Sequence, residues 1–250
     1  ALDVAAQGEL VTAYLAGASQ SKLAATIGFT QSGISAILRK RGVVGRTRKY
    51  RINENFFNTI DSEAKAYWLG FLAADGCIGR TFIRLGLKRA DEEHLQKFLN
   101  ALDANNPIHR YEASAIKGGK LYPVSYVKVC SPVLVAALTR LGVGQCKTKR
   151  LRSTPVMKEL RRHYWRGMFD GDGTLGIYAS AVGALCGTEE IVRGFIHFLQ
   201  AKTGALKYIK NTLWRVGLNG NNLRNALRVL YADSTVYLDR KMVIAQKIME

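Results

Sequence analysis

Two aspartates, Asp75 and Asp172, each stand directly before a glycine at the end of similar stretches, YWLGFLAADG and YWRGMFDGDG. A single D-G pair is a common turn dipeptide, but two at matched positions behind a shared Y-W-x-G pattern point to a common job. Each stretch reads as a helix, so each carboxylate falls at a helix C-terminus, where the macrodipole disfavours an anion. Two such carboxylates side by side also repel, which raises one pKa. A divalent cation removes both penalties. Mg²⁺ takes oxygen ligands, keeps waters and completes its shell with phosphate oxygens. The chemistry this predicts is metal-assisted phosphate hydrolysis, with scissile phosphates polarised and water activated above a carboxylate pair.

Other site chemistries fit less well. The four cysteines (Cys77, Cys130, Cys146, Cys186) form no C-x-x-C pair, and the four histidines (His94, His109, His163, His197) form no H-E-x-x-H. That argues against a zinc ribbon and a disulfide framework, and fits a reducing cell interior. Gly171–Gly176 satisfies G-x-G-x-x-G, but that fingerprint must follow a strand and open a helix. Here a helical pattern precedes and a strand pattern follows. Gly176-Ile177-Tyr178 superficially matches another nuclease signature, with no second element after it.

The elements that hold the aspartates repeat. At a constant offset of 97, Tyr67, Trp68, Gly70, Asp75, Gly76, Gly79, Gly86, Glu92, Glu93, Phe98 and Leu102 all meet identical residues, from Tyr164 to Leu199. Composition alone predicts about two or three such identities over that span. Gly70 and Gly167 lie mid-helix, where glycine costs about 1 kcal/mol relative to alanine. Two backbones crossing closely on the repeat's two-fold axis would explain them and would bring the aspartates together.

Each half then reads α-β-β-α-β-β-α. In FIRLGLK, Ile83, Leu85 and Leu87 alternate with Phe82, Arg84 and Lys88. Further strands are expected near Ile108–Ile116, Tyr122–Cys130, Leu206–Lys210 and Leu213–Leu218. Helices cover one sheet face, and the other carries Arg84, Lys88, Lys128 and Arg215. Basic residues alternating along strands suit a saddle on a duplex; the plain alternative is a solvated face. The fold class is therefore α+β, two tandem halves related by a pseudo-two-fold, plus a small all-α domain.

That small domain is read in residues 1–42. ELVTAYLAG, SKLAATI and QSGISAILRKR give three helices, with Gly28 and Thr30 between the last two, a helix-turn-helix pattern. Gln31, Ser32 and Ser35 would face base edges, and Arg39 phosphates. The alternative is a helical packing domain with a basic end. Residues 43–61 read as a basic linker whose Arg46 and Arg48 are placed for phosphate contact; halves follow at 62–152 and 153–250. Between Arg39 and Arg51 there are seven basic residues and no acidic one.

Composition agrees. The 250 residues carry 37 Lys+Arg against 19 Asp+Glu, a net charge of +18, which favours a polyanionic partner through counterion release. No apolar run approaches the roughly 18–20 residues that span a bilayer, and the first residues do not read as a signal peptide. No membrane partner is expected.

WLGFLAADG and WRGMFDGDG resemble the two motifs of the LAGLIDADG homing endonucleases in their single-chain form, over about residues 62–250. The resemblance implies a monomeric, site-specific endonuclease that cuts both strands of a long, asymmetric duplex with Mg²⁺, Mn²⁺ substituting. It implies metal ligation by Asp75, Asp172 and the carbonyls of Ala74 and Gly171. It implies pocket lysines at Lys147 (with Lys149 competing) and Lys241, and a polar pocket residue at Lys88. Such genes are mobile elements, and the implied location is the cytoplasm or nucleoid, or an organelle matrix. Ala73 departs from the family motif at a position that is not a ligand. Leu185 aligns with Lys88, which makes the two pockets unequal. Two other readings stay open: a non-cleaving DNA-binding regulator and an RNA-binding intron maturase. The regulator could have lost the motif acids; both are present.

Overall fold

The computed structural model describes residues 2–43, 49–114, 119–146, 151, 152, 154, 156–200, 206–210 and 213–250. It falls into two compact units, Ala1–Lys49 and Tyr50–Glu250.

The first unit holds α1 (Val4–Leu15), α2 (Gln20–Ile27) and α3 (Gln31–Lys40). Asp3, Ser19 and Thr30 cap them, each side-chain oxygen accepting an N–H from the first turn. The Asp3 cap starts α1 five residues before the Glu9 that the apolar pattern suggested. Gly28, at φ +69°, ends α2 in the left-handed conformation that glycine tolerates. Leu10, Tyr14, Ala24, Ile34 and Leu38 form this unit's own core, and Arg41 reaches back from α3 to Gln7 and the Val4 carbonyl.

The stretch from Tyr50 to Asp61, assigned above to a linker, is instead packed into the second unit. Phe57 is fully buried and Phe56 nearly so, and the Asn53 N–H donates to the Leu102 carbonyl. Its apolar residues outweigh the basic character read from its neighbours.

The second unit begins with α4 (Glu63–Asp75), β1 (Cys77–Ile78), β2 (Phe82–Lys88), α5 (Glu92–Ala101), β3 (Ile108–Ser114), β4 (Leu121–Cys130) and α6 (Pro132–Arg140). The order repeats as α7 (Arg161–Asp172), β5 (Gly173–Ile177), β6 (Ala181–Gly187), α8 (Glu189–Leu199), β7 (Lys207–Lys210), β8 (Leu213–Asn219) and α9 (Gly220–Tyr231). One further helix, α10 (Asp239–Met249), was not foreseen as a separate element. The strands form two four-stranded antiparallel sheets, ordered β1-β2-β4-β3 and β5-β6-β8-β7. Helices α5 and α6 pack on β2, while α8 and α9 pack on β6 and β8. Ile83, Leu85, Val127 and Val129 of one sheet and Leu185, Val216 and Leu218 of the other point into a shared core.

The constant offset fails inside the hairpins. Cys77 faces Arg84 across β1–β2, whereas Gly173 faces Leu185 across β5–β6. The second hairpin is three residues longer, and the 3₁₀ turn that follows β2 is missing after β6, which restores the offset at α8. Leu185 therefore matches Leu85: both are fully buried and both pair with a valine, Val216 and Val127. It does not match Lys88, and the inequality read from that alignment is withdrawn. The Gly86/Gly183 identity is likewise coincidental. A Cβ on Gly86 would lie beside Tyr126 on the outer face, one on Gly183 against Leu223 of α9.

Candidate functional site

The site grows from the crossing of α4 and α7. A Cβ on Gly70 would fall 2.0 Å from the Tyr164 carbonyl oxygen, and one on Gly167 2.1 Å from that of Tyr67. Each glycine thus seats against the carbonyl of the tyrosine that precedes the partner glycine by three residues. The contact is reciprocal, as a two-fold axis requires, and the helices touch backbone to backbone.

This contact brings the helix ends together. A Cβ on Gly171 would lie 2.4 Å from the Ala74 Cβ and 3.4 Å from Asp75 Oδ2. The Asp75 carboxylate therefore lies beside the residue that precedes Asp172, and both aspartates are exposed. Gly76 and Gly173 cap the helices in extended conformation. They are glycines because a Cβ would meet the Leu72 and Phe169 carbonyl oxygens at 2.6 and 2.3 Å.

Lys241, in the first turn of α10, lies against the end of α7. Its ammonium donates to the carbonyls of Phe169, Asp170 and Gly173 and is almost fully buried. These include carbonyls that the end of a helix leaves without an intrahelical partner. Burial lowers its pKa to about 8, against the opposing pull of Asp170, Asp75 and Asp172. The Gly171 carbonyl is not among its acceptors. The two exposed carboxylates offer hard oxygen donors, of the kind that suits Mg²⁺ or Mn²⁺ rather than zinc. Among the described residues there is no cluster of three His, Cys, Asp or Glu side chains that could hold an ion. Water and substrate oxygens would have to complete the shell. Lys147 and Lys149 lie outside the described residues.

Behind the site runs a buried polar network that the sequence reading missed. Asp170 accepts from the hydroxyls of Tyr67 (2.8 Å) and Tyr231 (2.5 Å) and from the Leu238 N–H (2.8 Å). Burial raises its pKa, with Lys241 and these donors opposing. Because the Tyr67 proton goes to Asp170, His94 Nε2 at 2.9 Å must donate to the Tyr67 oxygen. Burial also holds His94 neutral, its pKa lowered to about 3. Arg166, with no exposed surface, reaches the Val236 and Leu230 carbonyls and Glu63 at the start of α4. A signal was present: Arg166 and Asp170 stand where the other motif helix has the apolar Leu69 and Ala73.

The outward sheet faces hold the remaining expected residues. Lys88, Lys128 and Arg215 are exposed and Arg84 is half-buried. The Arg84 guanidinium lies 4.2 Å from the Tyr126 ring centre, and Lys128 Nζ 4.4 Å from that of Phe82. In the first unit Gln31, Ser32, Ser35 and Arg39 are all exposed on α3. Arg46 and Arg48 lie outside the described residues.

These features define a pseudo-symmetric α+β protein whose two motif helices meet at an acidic end. No family model matches the sequence, and no curated protein matches it. Solved structures do. The homing endonuclease I-WcaI, bound to its DNA recognition sequence, aligns over 81% of this chain and 97% of its own, with 12% identity and a TM-score of 0.55. The LAGLIDADG meganucleases I-AabMI and I-CpaMI, each bound to uncleaved DNA, cover 72% and 76% of this chain and 90% and 92% of their own, with 12% and 10% identity and TM-scores of 0.43 and 0.45. The chain has the LAGLIDADG fold, in the arrangement that carries both motifs on one polypeptide.

Proposed function

We propose that this chain is a site-specific, Mg²⁺-dependent endonuclease that hydrolyses both strands of a long duplex target. The observation that carries the proposal is the reciprocal glycine crossing, which sets the Asp75 carboxylate beside Gly171. In this reading Asp75, Asp172 and the Ala74 and Gly171 carbonyls hold the ion. The bound metal supplies Lewis-acid polarisation of the phosphate and a more acidic water. The chain's own part is positional. Gly70 and Gly167 fix the spacing of the carboxylates. Lys241 holds the last carbonyls of α7 in place and adds positive charge near both acids. Lys147 remains the candidate for that role in the first half.

Binding is assigned to the outward sheet faces through Arg84, Lys88, Lys128 and Arg215, with charge favouring any duplex. The two faces differ, which suits an asymmetric target. The first unit is assigned a second DNA contact through Gln31, Ser32, Ser35 and Arg39, with Arg46 and Arg48 following. Its tether would raise the local concentration of target. A single chain with two motifs suits a monomer, and a mobile genetic element is its expected origin.

The test is incubation with a randomised duplex library and Mg²⁺, followed by sequencing of the ends. The parent is expected to produce paired ends at one sequence. Asp75→Asn and Asp172→Asn are expected to lose cutting by at least two orders of magnitude while keeping binding, since removing an anion near phosphate does not weaken attraction. Cutting by Asp75→Asn at the parent's rate would defeat the assignment. Binding by the parent without cutting would favour the regulator, and preference for structured intron RNA the maturase.

A further inference from the structure

The outward face of the first sheet is furnished differently from that of the second. Across β2 and β4, Arg84 lies opposite Lys128 and Gly86 opposite Tyr126; across β3 and β4, His109 lies opposite Tyr126. Tyr126 is the centre of a stack. His109 lies parallel to it with ring centres 5.0 Å apart, Tyr111 meets it edge-on at 5.6 Å, and the Arg84 guanidinium lies 4.2 Å from its ring centre. Arg84 also donates from one terminal nitrogen to the Tyr111 hydroxyl at 3.3 Å. The described residues that alternate onto this face, from Phe82 to Lys88, Tyr122 to Cys130 and His109 to Ala113, include no acid.

A guanidinium held this way is restricted before any partner arrives. Arginine otherwise loses rotamer freedom on being ordered. Here the aromatic platform and the Tyr111 hydroxyl have already restricted it. Of its five N–H donors, one is engaged by Tyr111, and donors remain for an outside acceptor. The planar fork matches one base edge in the major groove, the O6 and N7 acceptor pair of guanine. A phosphate can take the same fork, but there a lysine also serves as a point charge, so exchange of Arg84 for lysine separates the two contacts.

We infer that Arg84 reads a guanine in the half-site under the first sheet, its fork aimed by Tyr126 and Tyr111. The inference rests on the proposal that this chain binds duplex DNA. Among its described residues the second sheet has no counterpart. The register that pairs Leu85 with Leu185 puts Ala184 in the place of Arg84, Gly217 in the place of Lys128 and Arg215 in the place of Tyr126. The guanine contact therefore belongs to one half-site alone.

The test is selection of duplexes from a randomised library by the full chain in calcium buffer, for the parent, Arg84→Lys and Tyr126→Leu. The parent should enrich a site with a fixed guanine on one side of its centre. Arg84→Lys keeps the charge and loses the fork. It should lose preference at that one position by about 5- to 150-fold while the rest of the site stays fixed. Tyr126→Leu should relax the same position by less, with thermal melting used to confirm that the sheet is intact. An Arg84→Lys profile identical to the parent's would overturn the guanine assignment alone, since a phosphate contact survives that change. A parent that enriches no sequence would overturn it together with the DNA-reading proposal.

Discussion

The two motif helices share a backbone plan and differ in what fills it. On α4 the positions Leu69 and Ala73 are apolar and buried in the common core. On α7 the matching positions are Arg166 and Asp170, both buried, both fully engaged in hydrogen bonds. The partners come from the connection between α9 and α10, which supplies the Val236 carbonyl and the Leu238 N–H, from Leu230 and Tyr231 of α9, and from Glu63 and Tyr67 of α4. At these two positions the second half therefore fastens its motif helix with directional bonds, two of them to Glu63 and Tyr67 of α4, and the first with packing. What the difference teaches is that the glycine crossing sets how the two helix ends meet, while other positions on each helix are free to be held by different means.

The largest expected effect follows from breaking the second fastening. Arg166→Leu copies Leu69 but takes from Glu63 its charged partner, leaving it the Thr235 and Val236 N–H groups, and from two buried carbonyls the guanidinium that donates to them. Removing one partner of a buried pair typically costs about 3–5 kcal/mol, and urea denaturation should show a loss of that size. A cost under about 1 kcal/mol would mean that packing alone holds α7, and the contrast between the halves would disappear. Next come Gly70→Ala and Gly167→Ala. Each new methyl would meet a backbone carbonyl at close to 2 Å. Each should cost about 3 kcal/mol, the upper end of ordinary overpacking. The two should cost the same, because the contact is reciprocal; unequal losses would show that the crossing is not two-fold.

A smaller effect separates the halves by pH. His94 of α5 is buried and neutral, its pKa lowered by burial to about 3, whereas Ile191 occupies the matching place on α8. The unfolded chain binds a proton to this histidine through the window from about 6.5 down to about 3, and the folded chain does not. Stability therefore rises with pH across that window and falls on acidification. From pH 7 to 4.5 the loss from His94 should be about 2–3 kcal/mol. His163, lowered to about 4 by burial first and by Arg166 next, adds in the same direction. His94→Leu should flatten the urea midpoint between those pH values, less any contribution from His163. An unflattened profile would move the acid-sensitive group elsewhere.

The crossing glycines, the two aspartates and the αββαββα order were legible because each depends on local pattern or on a repeat in the chain. Glycine inside a helix and aspartate before glycine carry their meaning without knowledge of distant partners. The Arg166–Glu63 and Asp170–Tyr67–His94 bonds were not legible in the same way. Their partners are 103 residues apart for Arg166–Glu63 and for Asp170–Tyr67, so no window contains both. The false match of Lys88 with Leu185 had a different cause. Three residues added in one hairpin and three removed after it leave the offset intact at both ends, and only strand pairing exposes the shift. α10 was missed because α9 already completed the repeat, although Lys241 at its start had been singled out.

The smallest effects test the sheet faces. Gly217 stands where Lys128 stands on the first sheet, its backbone is not left-handed, and a Cβ there would meet nothing within 4 Å. Gly217→Ala should therefore stabilise the fold by about 0.4–1 kcal/mol, through the unfolded chain. Gly217→Lys copies the first sheet. If the two faces approach the duplex in the same way, the added ammonium should neutralise one more phosphate. The slope of log affinity against log salt then steepens by about 0.9, measured by fluorescence anisotropy on a fixed duplex. If the slope does not change while Gly217→Ala remains stabilising, the face is open yet turned away from phosphate. The halves would then differ in how they meet DNA as well as in how they hold their motif helices.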